Sequence, residues 1–352
     1  MAVMVYKCPH CGAALEFDAE MQKMTCDYCK SEFTPEQALA GEQNAEPQDI
    51  REETPEDSEF FNGHIKAWHC PECGADIVAD ANTAATFCRF CGAPALIETN
   101  LTGDYRPVRL IPFKISKDEA KEAFLKWCHH GKITPKDFAS EQQLEKITGM
   151  YVPFWLFDCQ VEGMASGIGT RRRTWIHGDV QYTNTQYFRI RRRADLHFMK
   201  VPADGSKGMD NDMMDHLEPF DYTQLIEFQM PYLSGYMAEK YDESHEAVYP
   251  RVQERIDQYT YAQLRDTISE YQTVQMDGHK TIFRQSNAMY SMLPVWMLTY
   301  RYQGQNYLFA MNGQSGKVVG TPPKDPKRIL MRSGVLGLIV YVLLVLIGGF
   351  LL

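Results

Sequence analysis

The sequence predicts an α+β fold with small cysteine-built modules at its N-terminus and a single apolar helix at its C-terminus. Three observations lead to this. Eight of the ten cysteines fall into two copies of one spacing, Cys8-x2-Cys11-x14-Cys26-x2-Cys29 and Cys70-x2-Cys73-x14-Cys88-x2-Cys91. The middle of the chain mixes short apolar, β-branched runs with amphipathic stretches of helical period. The last nineteen residues, Gly334 to Leu352, carry no charged side chain.

Each cysteine quartet reads as a zinc ribbon, with ribbon 1 over residues 1–34 and ribbon 2 over 64–104. A Cys-x2-Cys knuckle brings two thiolates to one side of a turn. A second knuckle at hairpin distance completes the tetrahedral S4 set that Zn2+ favours in structural sites. The first knuckles read Cys8-Pro9-His10-Cys11-Gly12 and Cys70-Pro71-Glu72-Cys73-Gly74. Proline fixes φ in the turn, and glycine lets the chain leave it with φ > 0. The predicted cofactors are two structural Zn2+, though four thiolates also suit a rubredoxin-type iron. With four protein ligands each, neither site keeps a position for substrate or water. Met1 to Lys7 is too short for a signal peptide, so a reducing compartment is expected and disulfides are not. Folding of such short modules should depend on the metal.

Residues 35–63 read as an acidic, flexible linker that lets ribbon 1 move independently of ribbon 2. Glu36, Glu42, Glu46, Asp49, Glu52, Glu53, Glu56, Asp57 and Glu59 oppose Arg51 alone, a composition that cannot bury enough surface to order itself. Residues 105–321 form the α+β domain. Arg109 to Phe113 reads as a short strand. Ser116 and Glu119 form a capping box for a helix from Lys117 to about His130. Tyr151 to Val161 reads as a buried strand, with alternating segments around Arg173 to Val180 and Tyr187 to Phe198. Glu243 to about Tyr271 reads as a helix broken near Pro250. A weak repeat, Pro153-Phe154-Trp155-Leu156-Phe157 beside Pro294-Val295-Trp296-Met297-Leu298, suggests a duplicated unit. Each copy reaches a glycine, Gly163 or Gly304, ten residues after its proline, and the second continues as a β-hairpin to Gly313. Residues 322–333 are a basic juxtamembrane connector, and 334–352 a transmembrane helix. At ~1.5 Å per residue that helix spans about 28 Å, near the thickness of a bilayer's hydrocarbon core. Lys324, Lys327, Arg328 and Arg332 before it place the body on the cytoplasmic side.

The formal net charge of −10 argues against a chain bound globally to nucleic acid. Walker A, dinucleotide-glycine, His-Glu-x2-His and Gly-x-Ser-x-Gly patterns are all missing, so no enzyme is predicted. Cys159 reads as a small buried hydrophobe. Cys128-His129-His130 reads as a helix end rather than a metal or reactive site, and Asp204 to Asp215 as an exposed loop. Arg171, Arg172, Arg173, Arg189, Arg191, Arg192 and Arg193 mark a possible anionic-ligand surface on adjacent strands. Anionic lipid, an acidic segment such as this chain's own linker, or nucleic acid would fit it. A solvated sheet edge protected by charge is the first reading against which these are weighed.

Together, the Cys-Pro-x-Cys-Gly ribbons, the apolar tail and the segment Leu293 to Lys317 resemble the bacterial membrane-anchored TFIIB-type zinc-ribbon proteins. That resemblance implies a non-enzymatic membrane scaffold with SPFH/flotillin-like and phage-shock-protein-A-like partners, acting in envelope stress. It implies metal ligands at Cys8, Cys11, Cys26 and Cys29, and at Cys70, Cys73, Cys88 and Cys91. The resulting expectation is a tail-anchored cytosolic adaptor that recruits protein partners and takes no small-molecule substrate. The alternative is a membrane-tethered zinc-ribbon nucleic-acid-binding protein, disfavoured because the ribbons carry balanced charge.

Overall fold

The computed structural model describes residues 6–42, 65–69, 76–80, 97–99, 107–130, 134, 135, 138, 147–302 and 305–350. The fold is mixed α/β, with a cysteine-bearing N-terminal sheet beside a large sheet. Strands β1 (Tyr6–Lys7), β2 (Ala14–Asp18), β3 (Lys23–Cys26) and β4 (Glu32–Phe33) pair in sequence order, followed by helix α1 (Pro35–Glu42). Leu15, Phe17, Met24 and Cys26 are buried along β2 and β3, the alternation expected of strands with one covered face.

The large sheet begins with β5 (Ile65–His69), β6 (Asp76–Asp80), β7 (Ile97–Thr99) and β8 (Arg109–Leu110). Helix α2 follows at Lys117–His130, over the span its sequence predicts. Glu119 accepts the Ser116 backbone N–H at 2.8 Å, and Ser116 Oγ accepts the Glu119 N–H at 3.4 Å, closing the capping box. Two long strands come next, β9 (Thr148–His177) and β10 (Val180–Asp204), turning at Gly178 with φ +61°. The segment 173–180, read from sequence as a strand of its own, is therefore the tip of one hairpin. Helix α3 (Asn211–Leu217), β11 (Ile226–Glu227), a 3-10 turn at Met230–Leu233 and β12 (Met237–Glu239) lead into helix α4 (His245–Asp266). The chain returns along β13 (Thr273–Tyr302), pairs back through β14 (Gln305–Asn312) and β15 (Val318–Gly320), and ends in helix α5 (Pro326–Phe350).

The repeat copies lie side by side: β9 and β13 run antiparallel, with Pro153 opposite Met292 and Tyr151 opposite Pro294. Their apolar residues alternate between two cores, one holding Tyr151, Trp155, Trp296 and Phe113, the other Val152, Phe154, Leu293 and Val295. This is period-2 patterning applied to a strand covered on both faces. Gly163 is a mid-strand residue opposite Thr281; Gly304 lies outside the described residues.

Four sequence expectations are corrected. Residues 35–42, read as the start of the flexible linker, form helix α1 with Ala38 buried against ribbon 1. Helix α4 runs unbroken through Pro250. The proline costs one hydrogen bond near the helix start, and Val248, Val252, Ile256, Thr260 and Leu264, all buried along one face, hold the helix on the sheet. Residues 204–215 are not an exposed loop: Asp204 and Ser206 are fully buried, and Asp210 caps α3 through Met213 N–H. Ribbon 1 is docked on the body rather than free of it. Ser234 Oγ donates to Leu15 O at 2.6 Å, Phe17 N–H donates to Ser234 O at 3.2 Å, and Gln22 Nε2 donates to Phe113 O at 2.6 Å.

The described apolar side chains of α5, including Leu330, Met331, Leu338, Tyr341 and Leu344, are exposed. Among the described residues, no helix is long and apolar enough to cross a membrane.

Candidate functional site

The first cysteine quartet is brought together by two matching knuckles. In the first, Gly12 N–H donates to Cys8 O and Cys8 N–H to Ala13 O; in the second, Lys30 N–H donates to Cys26 O and Cys26 N–H to Ser31 O. The residue after each second cysteine has positive φ, Gly12 at +75° and Lys30 at +58°. Glycine takes that conformation without strain, whereas lysine is held there by the surrounding turn.

The sulfur atoms of Cys8, Cys11, Cys26 and Cys29 all lie within 4.8 Å of one another, with Cys8–Cys29 and Cys11–Cys26 at 3.5 Å. A tetrahedral zinc with Zn–S of ~2.3 Å sets its sulfurs about 3.8 Å apart, so the quartet is close to the required size. Cys8 and Cys26 are buried while Cys11 and Cys29 are exposed, which puts the cluster at the ribbon's rim. The Ser31 hydroxyl and backbone N–H hold Cys29 down to about 6. The Ala13 backbone N–H pulls Cys11 down, but local desolvation and the sulfurs of Cys29, Cys26 and Cys8 outweigh it and push that thiol up to about 12. Four such sulfurs share negative charge poorly unless a cation sits among them. The donor set therefore suits one thiophilic metal ion. Cys70, Cys73, Cys88 and Cys91 lie outside the described residues.

The arginines sit on an arm made by the outer parts of β9, β10 and β13. Registers run from Thr273 opposite Thr170 to Met297 opposite Thr148, and from Val180 opposite His177 to Asp204 opposite Phe154. One face is covered by α4, where a side chain on Gly163 would meet Thr260 Cγ2 at 2.4 Å. On β10 the exposed positions alternate through Arg189, Arg191 and Arg193, which puts these three on the face away from α4. Arg192 points to the α4 side and bonds Glu270 at 2.7 Å. Arg171 lies over the rings of Phe188 and Tyr271, 5.3 Å from each centroid. Arg171, Arg172 and Arg173 stand opposite Gln186, Thr185 and Asn184, farther out than the β10 arginines. The seven thus share one arm but form no single cluster.

The sequence reading missed the acids that hold this arm. Glu162, its side chain 5% exposed, receives Arg193 at 2.7 Å and also binds Arg284. Arg284, then Arg193 and Lys280, hold its carboxyl below the usual range. Asp277 accepts from Ser166 at 2.6 Å and from Arg189 at 2.5 Å. These partners lie from 31 residues apart (Glu162 and Arg193) to 122 apart (Glu162 and Arg284), so only strand register could reveal them. At the tip, Trp175 and Tyr182 stack with centroids 5.7 Å apart.

Outside the ribbon, Cys128 and Cys159 are buried, and burial pushes the Cys128 thiol up to about 12 and raises that of Cys159. Neither is a poised nucleophile.

No family model matches the chain, and no solved structure matches it. It is 37% identical over 325 residues to a Bacillus subtilis protein named "Uncharacterized protein YdjG", a match covering 91% of this chain and 90% of that one.

Proposed function

The chain belongs to the family of that Bacillus subtilis protein, and from this premise we propose that it is a non-enzymatic, metal-stabilised adaptor held at a membrane by its C-terminal helix. The observation that carries the reading is the cluster of four cysteines, enough to occupy every position of a tetrahedral metal, on a ribbon docked against an aromatic core. Such a site supplies rigidity and a presented surface, not an open position for chemistry. Zinc is the metal we assign to it, and the identical spacing of Cys70, Cys73, Cys88 and Cys91 extends the assignment to a second ion.

Support for the anchor comes from the uncharged run of residues 334–352 and the exposed apolar side chains of α5. The basic residues ahead of it orient the body toward the cytoplasm. Protein partners of the SPFH-like or phage-shock-protein-A-like kind fit the sequence resemblance. The nucleic-acid reading fares worse on ribbon 1, where Lys23 is paired with Glu32 and Lys30 with Asp27.

Membrane fractionation with alkaline extraction, elemental analysis and partner capture from solubilised membranes test this reading. The expected result is an alkali-resistant membrane protein carrying about two zinc ions per chain and retaining a protein partner, as four-thiolate sites require. Recovery in the aqueous fraction without detergent overturns the anchor. Freshly purified protein without zinc or iron overturns the metal assignment.

A further inference from the structure

The arm carries charge and apolar surface that the body does not use. In a chain of net charge −10, Arg172, Arg173 and Arg191 have no ion pair among the described residues, while Arg189, Arg192 and Arg193 are matched by Asp277, Glu270 and Glu162. By strand alternation Arg172, Arg191 and Tyr187, the last 73% exposed, share the face away from α4, whereas Arg173 lies on the other face with Trp175 (45% exposed) and Tyr182 (44%). Trp, Tyr and Arg together are the side chains that dominate protein–protein contacts.

We propose that the arm docks the acidic segment 42–62 of a second copy of this chain, so that copies assemble arm to segment. The proposal rests on the scaffold reading and names its partner. Residues 46–59 hold seven acids, Glu46, Asp49, Glu52, Glu53, Glu56, Asp57 and Glu59, against Arg51, and Phe60-Phe61 follows directly. Carboxylates then aromatics complement Arg172 and Arg191, which share a face with the exposed ring of Tyr187.

Reach decides between the same chain and a second one. The segment joins α1, which packs on the 3-10 turn at 230–233, to β5, whose neighbour β6 pairs with β12 beside Met150 and Tyr151. Both attachment points are therefore at the base of the arm. Residues 43–64 extend at most about 80 Å, so a loop tied at both ends reaches roughly 40 Å outward. Arg191, opposite Ser166, lies about 50 Å along β9 from Met150, and Arg172 about 70 Å, at ~3.3 Å per residue. The segment falls short of its own arm but is free to meet another's. Bilayer insertion is less suited to the tip, since Asp179 beside Gly178 in the turn would have to enter first.

The test uses the full chain in mild detergent and a fluorescent peptide of its own residues 42–62. A control peptide carries the seven acids as amides. The acidic peptide is expected to bind, to weaken at least tenfold between 50 and 500 mM salt, and to exceed the amide peptide at least tenfold. Arg172→Glu with Arg191→Glu should cost tenfold or more while leaving the melting temperature unchanged. Mixed donor- and acceptor-labelled full chains should show energy transfer. A chain whose own seven acids are amides, with the arm untouched, should lose that transfer yet still bind the acidic peptide. Equal binding of the two peptides, or indifference to the arginine changes, overturns the proposal. So does tighter arginine-dependent binding of phosphatidylglycerol mixed micelles or of a single-stranded oligonucleotide. Because these assays need neither bilayer nor partner, their failure is separable from failure of membrane fractionation or partner capture.

Discussion

At the scale of single residues, Glu162 shows how a nearly buried charge is kept. Its carboxylate lies between Arg193 and Arg284, and Arg284 above all holds its pKa below the unfolded value. Between those two values the unfolded chain binds more protons than the native one, so this contribution is complete above the unfolded pKa. It is lost as pH falls through the native pKa. Melting curves between pH 7 and pH 3 should therefore fall more steeply for the wild type than for Glu162→Gln; parallel profiles would show that the pair does not stabilise the fold. Residue-level signals also divide the two knuckles. Gly12 announces its positive φ in the sequence, whereas Lys30 adopts the same conformation with no local sign, because only closure of the second knuckle imposes it.

Among the elements, α2 and α4 differ in what specifies them. The boundaries of α2 are written locally, in Ser116 and Glu119 as a reciprocal cap. Ser116→Ala should cost about 1 kcal/mol, measurable as a shift in urea midpoint with unchanged slope. Helix α4 is specified by what lies beneath it. Thr260 and Leu264 pack onto Gly163 with no space for a side chain, a built Cβ meeting Thr260 Cγ2 at 2.4 Å. Gly163→Leu should lift this end of the helix and destabilise by about 1–3 kcal/mol. Hydrogen exchange should then quicken along 256–266 while the capping box of α2 stays protected. Pro250 illustrates the same difference: read alone it breaks the helix, yet burial of Val248, Val252 and Ile256 outweighs one lost hydrogen bond.

In the molecule as a whole, ribbon 1 and the body share one core. Phe17 packs on Tyr232 at 4.9 Å between ring centroids, and Gln22 reaches the backbone of Phe113, whose ring stacks on Tyr236 at 4.1 Å. Stripping metal from the quartet should thus weaken the body as well as the ribbon. A chelator is expected to lower the main melting transition by about 4–8 °C, equivalent to ~2 kcal/mol for a domain of this size. A transition that stays put while zinc is released would show that the docking contributes no stability. Self-assembly through the arm belongs to this scale too, since it joins a segment near the N-terminus to strands more than a hundred residues later.

By itself the sequence determined the features that depend on near neighbours: the thiol quartet Cys8, Cys11, Cys26 and Cys29, the extent of α2 and its cap, and the presence of an apolar terminal run. Each follows from spacing within one turn or one hairpin, where chain geometry leaves few choices. Only the tertiary structure decided that the repeat copies pair as adjacent antiparallel strands, that two predicted segments join into one long arm, and that Glu162 and Asp277 face the arginines. The physical reason is register: which residues of β9, β10 and β13 stand opposite one another is set by the cores at their base and by α4 across them. No window along the chain contains that information.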